Sequence, residues 1–227
     1  MVPVYDESKH PCRPCHFPYA VVTLIASNVF VFLLEITNGP AWALQYALVP
    51  DQVAHGQDLY TVVTSMFIHA GWLHLAGNMV FLWVFGNVIN RYVMSSLRFF
   101  AFYFVCGLAA TVLQVAVDPS LNVPNLGASG AIAGVLGGFL IIYPHDEIFT
   151  FFLVPIPIPV SISAMVLIGF WFLFQLVSGL LSLGDLADGG VAYFAHVGGF
   201  AAGLALIRVF AEHAPTLRRI DGGEHKP

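Results

Sequence analysis

Uncharged, mostly apolar stretches divide the chain into six segments that are each long enough to cross a bilayer. A helix rises about 1.5 Å per residue, so about 20 residues span the hydrocarbon core. The stretches without Asp, Glu, Lys or Arg cover residues 14–34, 59–90, 99–117, 119–145, 148–184 and 189–207. The pattern predicts six transmembrane helices in an all-α, polytopic membrane bundle.

Helix-breaking residues refine two of these segments. The alternating prolines of residues 155–159 cannot lie inside a helix, so the fifth helix is predicted to begin at about Ser161, after a loop or an interfacial stretch. In the second segment, Ala70 and Gly71 predict a break before a helix over residues 72–90. Both predictions place non-helical chain directly before a membrane helix.

A single membrane domain accounts for most of the chain. We expect it to comprise residues 17–210, with tails at residues 1–16 and 211–227 that are too short to form domains of their own. Asp6 and Glu7 precede the first apolar segment, whereas mitochondrial presequences avoid acidic residues, and no small-residue cleavage site of a signal peptide follows the segment. The first segment is therefore expected to remain in the protein.

The composition agrees with lipid as the surrounding solvent. Of the 227 residues, 58% are hydrophobic and 9% are charged, whereas charged residues make up about 25% of ordinary soluble domains. The formal net charge of -5 argues against nucleic acid as a partner, because phosphate binding needs a basic surface. Three cysteines are too few for the disulfide framework of a small secreted domain.

The basic residues predict the orientation. They precede the first predicted helix, separate the second from the third or follow the sixth: Lys9, Arg13, Arg91, Arg98, Arg208, Arg218, Arg219 and Lys226. By the positive-inside rule, both termini and both tails are cytoplasmic. Cys12 and Cys15 then lie in a reducing compartment, where the stretch from His10 to His16 is either a weak metal site or an incidental loop. We expect no metal.

A small set of polar side chains lies inside the predicted helices, where lipid makes such groups costly and function is a common reason for them. The set is Asn28, Glu35, His74, Asn78, Gln114, Ser129, Gln175 and His196. We expect the amide side chains of Asn28, Gln114 and Gln175 to form hydrogen bonds between helices. The carboxylate of Glu35 is expected to reach the outer membrane interface. The other four fall in the outer turns of the second, fourth and sixth helices. Ser129 and His196 are expected about 5 and 10 Å below the outer helix ends.

Small residues allow the fourth and sixth helices to approach each other closely. The glycines predicted to support this packing are Gly127, Gly134, Gly199 and Gly203. Two of them follow His196 at intervals of three and seven residues, on one helical face without bulky side chains. Such packing would bring the Ser129 hydroxyl within hydrogen-bonding reach of the imidazole.

A serine beside a histidine favours acyl transfer. His196 as general base would take the proton from the nucleophile Ser129 and return it to the leaving amine. The acidic residues on the outer side lie in loops, and Asp188 precedes His196 by eight residues. We therefore predict a catalytic dyad rather than a Ser-His-Asp triad.

The second predicted helix offers groups that could stabilise an oxyanion. His74 and Asn78 are one turn apart on one face. Together with backbone N–H groups beside the serine, including that of Gly130, they are predicted to stabilise the transition state. His69, which precedes the helix, is expected to order the loop rather than contact substrate.

These residues resemble the motifs of the rhomboid intramembrane serine proteases. The matching stretches are Gly127-Ala-Ser-Gly130, His69 with His74 and Asn78, and Ala195-His-Val-Gly-Gly-Phe-Ala-Ala-Gly203. The likeness covers about residues 17–210 in the six-helix bacterial form. It implies that the protein cleaves single-span membrane proteins in or beside their transmembrane segments, with no cofactor. The substrates of such enzymes have small residues at the cut and helix-loosening residues beyond it.

The resemblance also implies roles. Carried over, Ser129 is the nucleophile and His196 the base, while His74 and Asn78 line the oxyanion hole. The short tails fit a multi-pass position in the cell (inner) membrane, and the predicted orientation opens the active site toward the extracytoplasmic side.

Two positions depart from the family's pattern. Many relatives carry a Trp-Arg pair in the loop before the second helix, where this chain reads Leu59-Tyr60-Thr61, so this loop is expected to be anchored differently. Some relatives place an aromatic residue one turn after the serine to stack on the histidine, where this chain has Ala133. We therefore expect another group to orient His196.

Two other classes of function remain as alternatives. A catalytically silent rhomboid-like protein would bind and deliver membrane helices, but Ser129 and His196 argue against it. A small transporter or channel would more often show internal repeats, which this sequence lacks. The sequence also contains no H-E-x-x-H motif for zinc, and no Asp lies inside a predicted span to form an aspartyl pair.

Overall fold

A computed structural model describes residues 2–6, 17–154, 156–182 and 192–212. Within these residues, five helical segments are long and apolar enough to cross a membrane. They are α1 (Tyr19–Asn38), the segment Trp72–Tyr92, α7 (Ser96–Val117), α9 (Ala164–Ser182) and α10 (Tyr193–Phe210). The chain is thus a mostly helical, multi-pass membrane protein.

The second of these segments has three parts. Helix α5 (Trp72–Phe81) continues through a π-helical turn (Leu82–Gly86) into α6 (Asn87–Tyr92). It begins directly after Gly71, whose φ of 155° lies in a region that other residues rarely adopt. The predicted break and the predicted helix over residues 72–90 are confirmed.

The fourth apolar segment forms a shorter helix than the charge-free interval predicts. Helix α8 (Ser129–Ile142) has 14 residues, which corresponds to about 21 Å. The residues before it are not helical, because Pro119 and Pro124 disfavour a helix interior and Gly127 has a φ of 118°. Within the described residues, the structure thus has five helices long enough to span a membrane and this shorter apolar helix, where the sequence predicts six spans.

A three-stranded antiparallel sheet makes the all-α prediction wrong. Strands β1 (Val2–Asp6), β2 (Glu147–Val154) and β3 (Ile156–Ser163) lie in the order β1-β2-β3. The β2–β3 hairpin pairs Glu147 with Ser163 at its open end. Prolines are tolerated in β3 because an edge strand needs no N–H groups for a further neighbour. Helix α9 begins after them, at Ala164 rather than Ser161.

The loop between α1 and α5 contains short helical turns. These are α2 (Pro40–Leu44), α3 (Pro50–Ala54), α4 (Thr61–Thr64) and a 3-10 turn (Ser65–Phe67). The Tyr60 hydroxyl donates to the Gln45 carbonyl at 3.0 Å, and Thr61 Oγ1 donates to the Asp58 carbonyl at 2.7 Å. Residues at the position of the missing Trp-Arg pair therefore anchor this loop by other hydrogen bonds.

Helix α8 lies at the centre of the bundle. All of its residues from Ala131 to Phe139 are buried. Helix α10 packs on it backbone to backbone: a Cβ atom added to Gly199 or to Gly203 would collide with the carbonyl oxygen of Gly130 or of Gly134, respectively. This close crossing fixes the positions of Ser129 and His196 relative to each other.

Candidate active site

Ser129 and His196 both lie in the first turn of their helices. Ser129 is the first residue of α8 and His196 is the fourth residue of α10. The expected depths of about 5 and 10 Å below the helix ends are therefore too large. Helix α8 begins at Ser129 itself and α10 begins three residues before His196, so fewer helical residues precede each side chain than the sequence predicts.

The two side chains contact each other directly. His196 Nε2 lies 2.7 Å from Ser129 Oγ, and His196 Nδ1 lies 2.8 Å from Gln175 Oε1 on α9. His196 and Gln175 are both buried, with 8% and 7% of their surfaces exposed. Both ring nitrogens of the histidine thus have a hydrogen-bonding partner, one on each neighbouring helix.

His74 faces the serine with a nitrogen that carries a proton. Its Nδ1 accepts the backbone N–H of Ala70 at 3.3 Å, so in the neutral ring the proton is on Nε2. That nitrogen lies at Gly127, where an added Cβ would be 2.8 Å from it. His74 Nε2 is therefore a hydrogen-bond donor beside the start of α8.

Asn78 supplies a second donor at the same place. No hydrogen-bond acceptor among the described residues reaches its buried Nδ2 atom, although buried donors are nearly always paired. Asn78 and His74 line a cleft of about 280 Å³ together with Ser129 and His196. The N–H groups of the first turn of α8, including that of Gly130, have no acceptor within their helix. The arrangement can therefore donate several hydrogen bonds to an oxygen atom beside the serine.

Gly127 has a different position from the predicted one. It precedes α8 instead of lining the face that packs on α10. Its positive φ turns the chain into the helix, and its N–H donates to the Ser65 carbonyl at 2.9 Å. The lack of a side chain at Gly127 also leaves room for the His74 ring.

His69 and Glu35 connect the loop to α1. The backbone N–H of His69 donates to both carboxylate oxygens of Glu35, at 3.1 Å to Oε1 and 3.3 Å to Oε2. Glu35 is buried rather than extended to the outer interface as the sequence predicted. Burial lowers the pKa of His69 to about 4, and its ring packs edge-on against His74. His69 thus contacts the ring of His74 and orders the chain that carries Ala70.

The three amides that the sequence predicts to form bonds between helices have three different partners. Gln114 Oε1 accepts the N–H of Ala195 at 3.1 Å and so links α7 to the start of α10, as the interpretation of an interhelical bond predicted. Asn28 donates within its own helix, to the Leu24 carbonyl. Gln175 also forms the predicted bond between helices, and its partner is the histidine of the site, which the sequence analysis did not identify. The sequence did contain one indication of this contact: because Ala133 is too small to stack on His196, another side chain has to orient the ring.

The possible metal-binding stretch from His10 to His16 lies outside the described residues. Within the described ranges, no group of three His, Cys, Asp or Glu side chains is placed to hold a metal ion.

The fold and the site together define a class of protein: a multi-pass membrane protein in which a partly buried serine is hydrogen-bonded to a buried histidine. The model of the Rhomboid domain family matches residues 56–213. This match covers more than half of the chain and includes Ser129 and His196. The chain belongs to the rhomboid family.

Curated relatives carry the same family name. Rhomboid protein 1, mitochondrial, from Saccharomyces cerevisiae is 32% identical over 141 residues, or 60% of this chain and 40% of the relative. Rhomboid protease GluP from Bacillus subtilis is 28% identical over 193 residues, or 84% and 34%. RHOMBOID-like protein 4 from Arabidopsis thaliana is 31% identical over 178 residues, or 78% and 41%. The chain spans less than half the length of each of these relatives.

Proposed function

We propose that the protein is an intramembrane serine endopeptidase that cleaves membrane proteins in or next to their transmembrane segments. The observation that carries this proposal is the 2.7 Å contact between Ser129 Oγ and His196 Nε2. Beside it lies the amide of Asn78, whose buried Nδ2 has no acceptor among the described residues. The similarity to Rhomboid protease GluP supports the same activity.

The proposed reaction begins with attack by the serine. Oγ of Ser129 forms a bond to the carbonyl carbon of the scissile peptide while its proton moves to Nε2 of His196. The carbon–nitrogen bond then breaks, and His196 returns the proton to the leaving amine. A water molecule, deprotonated by the same nitrogen, hydrolyses the acyl-enzyme and releases Ser129.

The oxyanion of the tetrahedral intermediate is placed in the cleft next to α5. Nε2 of His74 and Nδ2 of Asn78 donate to it, with the free N–H groups at the start of α8. His74 is held in position before substrate binds, because its Nδ1 accepts the backbone N–H of Ala70. Each such donor contributes about 10²- to 10³-fold in turnover.

The proposed substrates are single-span membrane proteins that reach the site from the lipid. The proposed catalytic unit is residues 17–210, as six membrane helices with both tails in the cytoplasm, a position that the distribution of basic residues favours. Ser129 and His196 then open to the extracytoplasmic side of the cell membrane. The proposed chemistry uses Ser129 and His196 with water and needs neither a metal nor another cofactor.

Reconstitution tests this proposal. The protein and a single-span substrate with small residues near its outer membrane boundary are placed in the same liposomes, and the products are identified by mass spectrometry. We expect cleavage by wild type and no cleavage by Ser129→Ala or His196→Ala. Ser120→Ala is the matched control, because the hydroxyl of this exposed loop serine donates to the nearby Asp118 carboxylate, and it should cleave normally. Substrate binding without cleavage by wild type would refute the peptidase in favour of a binding protein.

A further inference from the structure

We propose that Gln175 is a positioning residue that holds His196 in the tautomer required of a general base. The inference rests on the proposed peptidase function and assigns to helix α9 a role in it. It starts from the contact of 2.8 Å between Gln175 Oε1 and His196 Nδ1.

The chemistry requires a particular tautomer. A neutral imidazole carries one proton, and Nε2 can accept the serine proton only when that proton is on Nδ1. In water the Nδ1–H group would bond to solvent, but His196 is buried. An acceptor from the protein is therefore needed, because an unpaired buried N–H group is costly. Gln175 Oε1 is an acceptor at the right distance.

The same contact favours the charged state that forms during the reaction. When Ser129 loses its proton to Nε2, the imidazolium carries protons on both nitrogens. Nδ1–H then donates to the carbonyl end of the Gln175 amide, whose dipole is negative toward the ring. Hydrogen bonds that involve a charged partner are stronger than those between neutral groups, so the contact strengthens as the transition state is approached. The proton on Nδ1 stays on the histidine throughout.

Helix α9 holds the ring from a second side. Trp171 lies one turn before Gln175, and its ring centroid is 5.7 Å from that of His196 at an interplanar angle of 44°. This distance is in the range of aromatic packing. On the α8 side, the residue one turn after Ser129 is Ala133, which offers only a methyl group. One face of α9 thus supplies both the aromatic contact and the hydrogen-bond acceptor.

The position of α9 explains why these two residues face inward. Gln175 is buried, whereas Leu173, Phe174 and Val177 on other faces of the same helix are exposed. A polar side chain on this helix would normally be costly in lipid, and the bond to His196 offsets that cost.

The test compares two substitutions at one position. Gln175→Leu removes the acceptor at similar volume, and we expect kcat to fall about 10- to 100-fold with KM nearly unchanged, since the residue does not touch substrate. Gln175→Glu keeps an oxygen at the same place and should keep kcat within about threefold of wild type. Leu173→Ala, an exposed position on the same helix, is the matched control and should behave as wild type.

A spectroscopic measurement separates positioning from a structural role. In ¹⁵N-histidine NMR spectra, with the His196 signal assigned by its loss in His196→Ala, we expect the Nδ1–H tautomer in wild type and a shift toward Nε2–H in Gln175→Leu. An Nε2–H tautomer in wild type would overturn the proposal, and so would an unchanged kcat in folded Gln175→Leu. Equal loss of kcat in both Gln175 variants, with unchanged thermal stability, would also overturn it. If wild type cuts no substrate, the proposed function fails, while the tautomer still reports on Gln175.

Discussion

Replacing Asn78 by leucine separates the catalytic role of this amide from its contribution to the fold. Asn78 is 7% exposed, and its Nδ2 atom has no acceptor among the described residues. A buried donor without an acceptor costs about 1–3 kcal/mol relative to water. Leucine has a similar volume and no polar atoms, so the free energy of unfolding should stay the same or increase.

The same substitution should strongly reduce turnover. Loss of one oxyanion donor costs about 10²- to 10³-fold in kcat, or about 3–4 kcal/mol of transition-state stabilisation. His74 Nε2 and the N–H groups of α8 remain, so activity should fall without disappearing. Because the amide acts on the oxyanion rather than the bound peptide, KM should change little.

The assay is steady-state cleavage of a single-span substrate in liposomes, combined with thermal unfolding followed by circular dichroism. Asn28→Leu is the matched control: it removes another buried amide, which bonds within α1, and should leave kcat unchanged. A kcat of Asn78→Leu within threefold of wild type would refute the oxyanion role. A fall in stability that parallels the fall in activity would assign Asn78 to the fold instead.

Three further substitutions test other parts of the structure. Gly127→Ala should lower both activity and the unfolding temperature, because the added Cβ meets His74 and the φ of 118° is strained; normal cleavage would contradict this. Gly203→Val should cost at least about 1–3 kcal/mol of stability by pushing α10 off α8, whereas Gly169→Ala, with open space around it, should not. His69 has a pKa of about 4, so its burial in the neutral form makes the fold less stable as the pH falls from about 6.5 toward 4, by up to about 3 kcal/mol. In His69→Gln, the unfolding temperature should therefore depend less on pH in this range. An unchanged pH dependence would show that His69 does not cause the loss of stability.

The membrane helices could be predicted because lipid imposes a simple rule on sequence. Charged residues are excluded from long segments, so the ends of the segments are visible, and the prolines before Ala164 mark a helix start. The β2–β3 hairpin was not predictable in this way, because its apolar residues look like part of a membrane segment. Helix α8 begins only at Ser129 because Gly127 adopts a positive φ. The positions of charged residues give no information about this backbone conformation.

The candidate site likewise has one part that the sequence predicts and one part that it does not. Ser129 and His196 could be paired from the glycines that follow each of them, because small residues predict a close helix crossing. Gln175 could not be assigned, because its partner depends on how α9 is rotated against α10. The apolar pattern of α9 does not specify that rotation, since lipid and neighbouring helices are equally apolar.

Reaction with a fluorophosphonate tests the central claim most directly, because this probe reacts covalently with serines that are activated as nucleophiles. The protein is treated in detergent and in liposomes, and the modified residue is located by mass spectrometry. We expect one adduct, on Ser129, that is absent in Ser129→Ala and forms far more slowly in His196→Ala. Absence of an adduct in folded wild type, or an adduct on a different serine, would contradict the assignment of Ser129 and His196 as a catalytic pair.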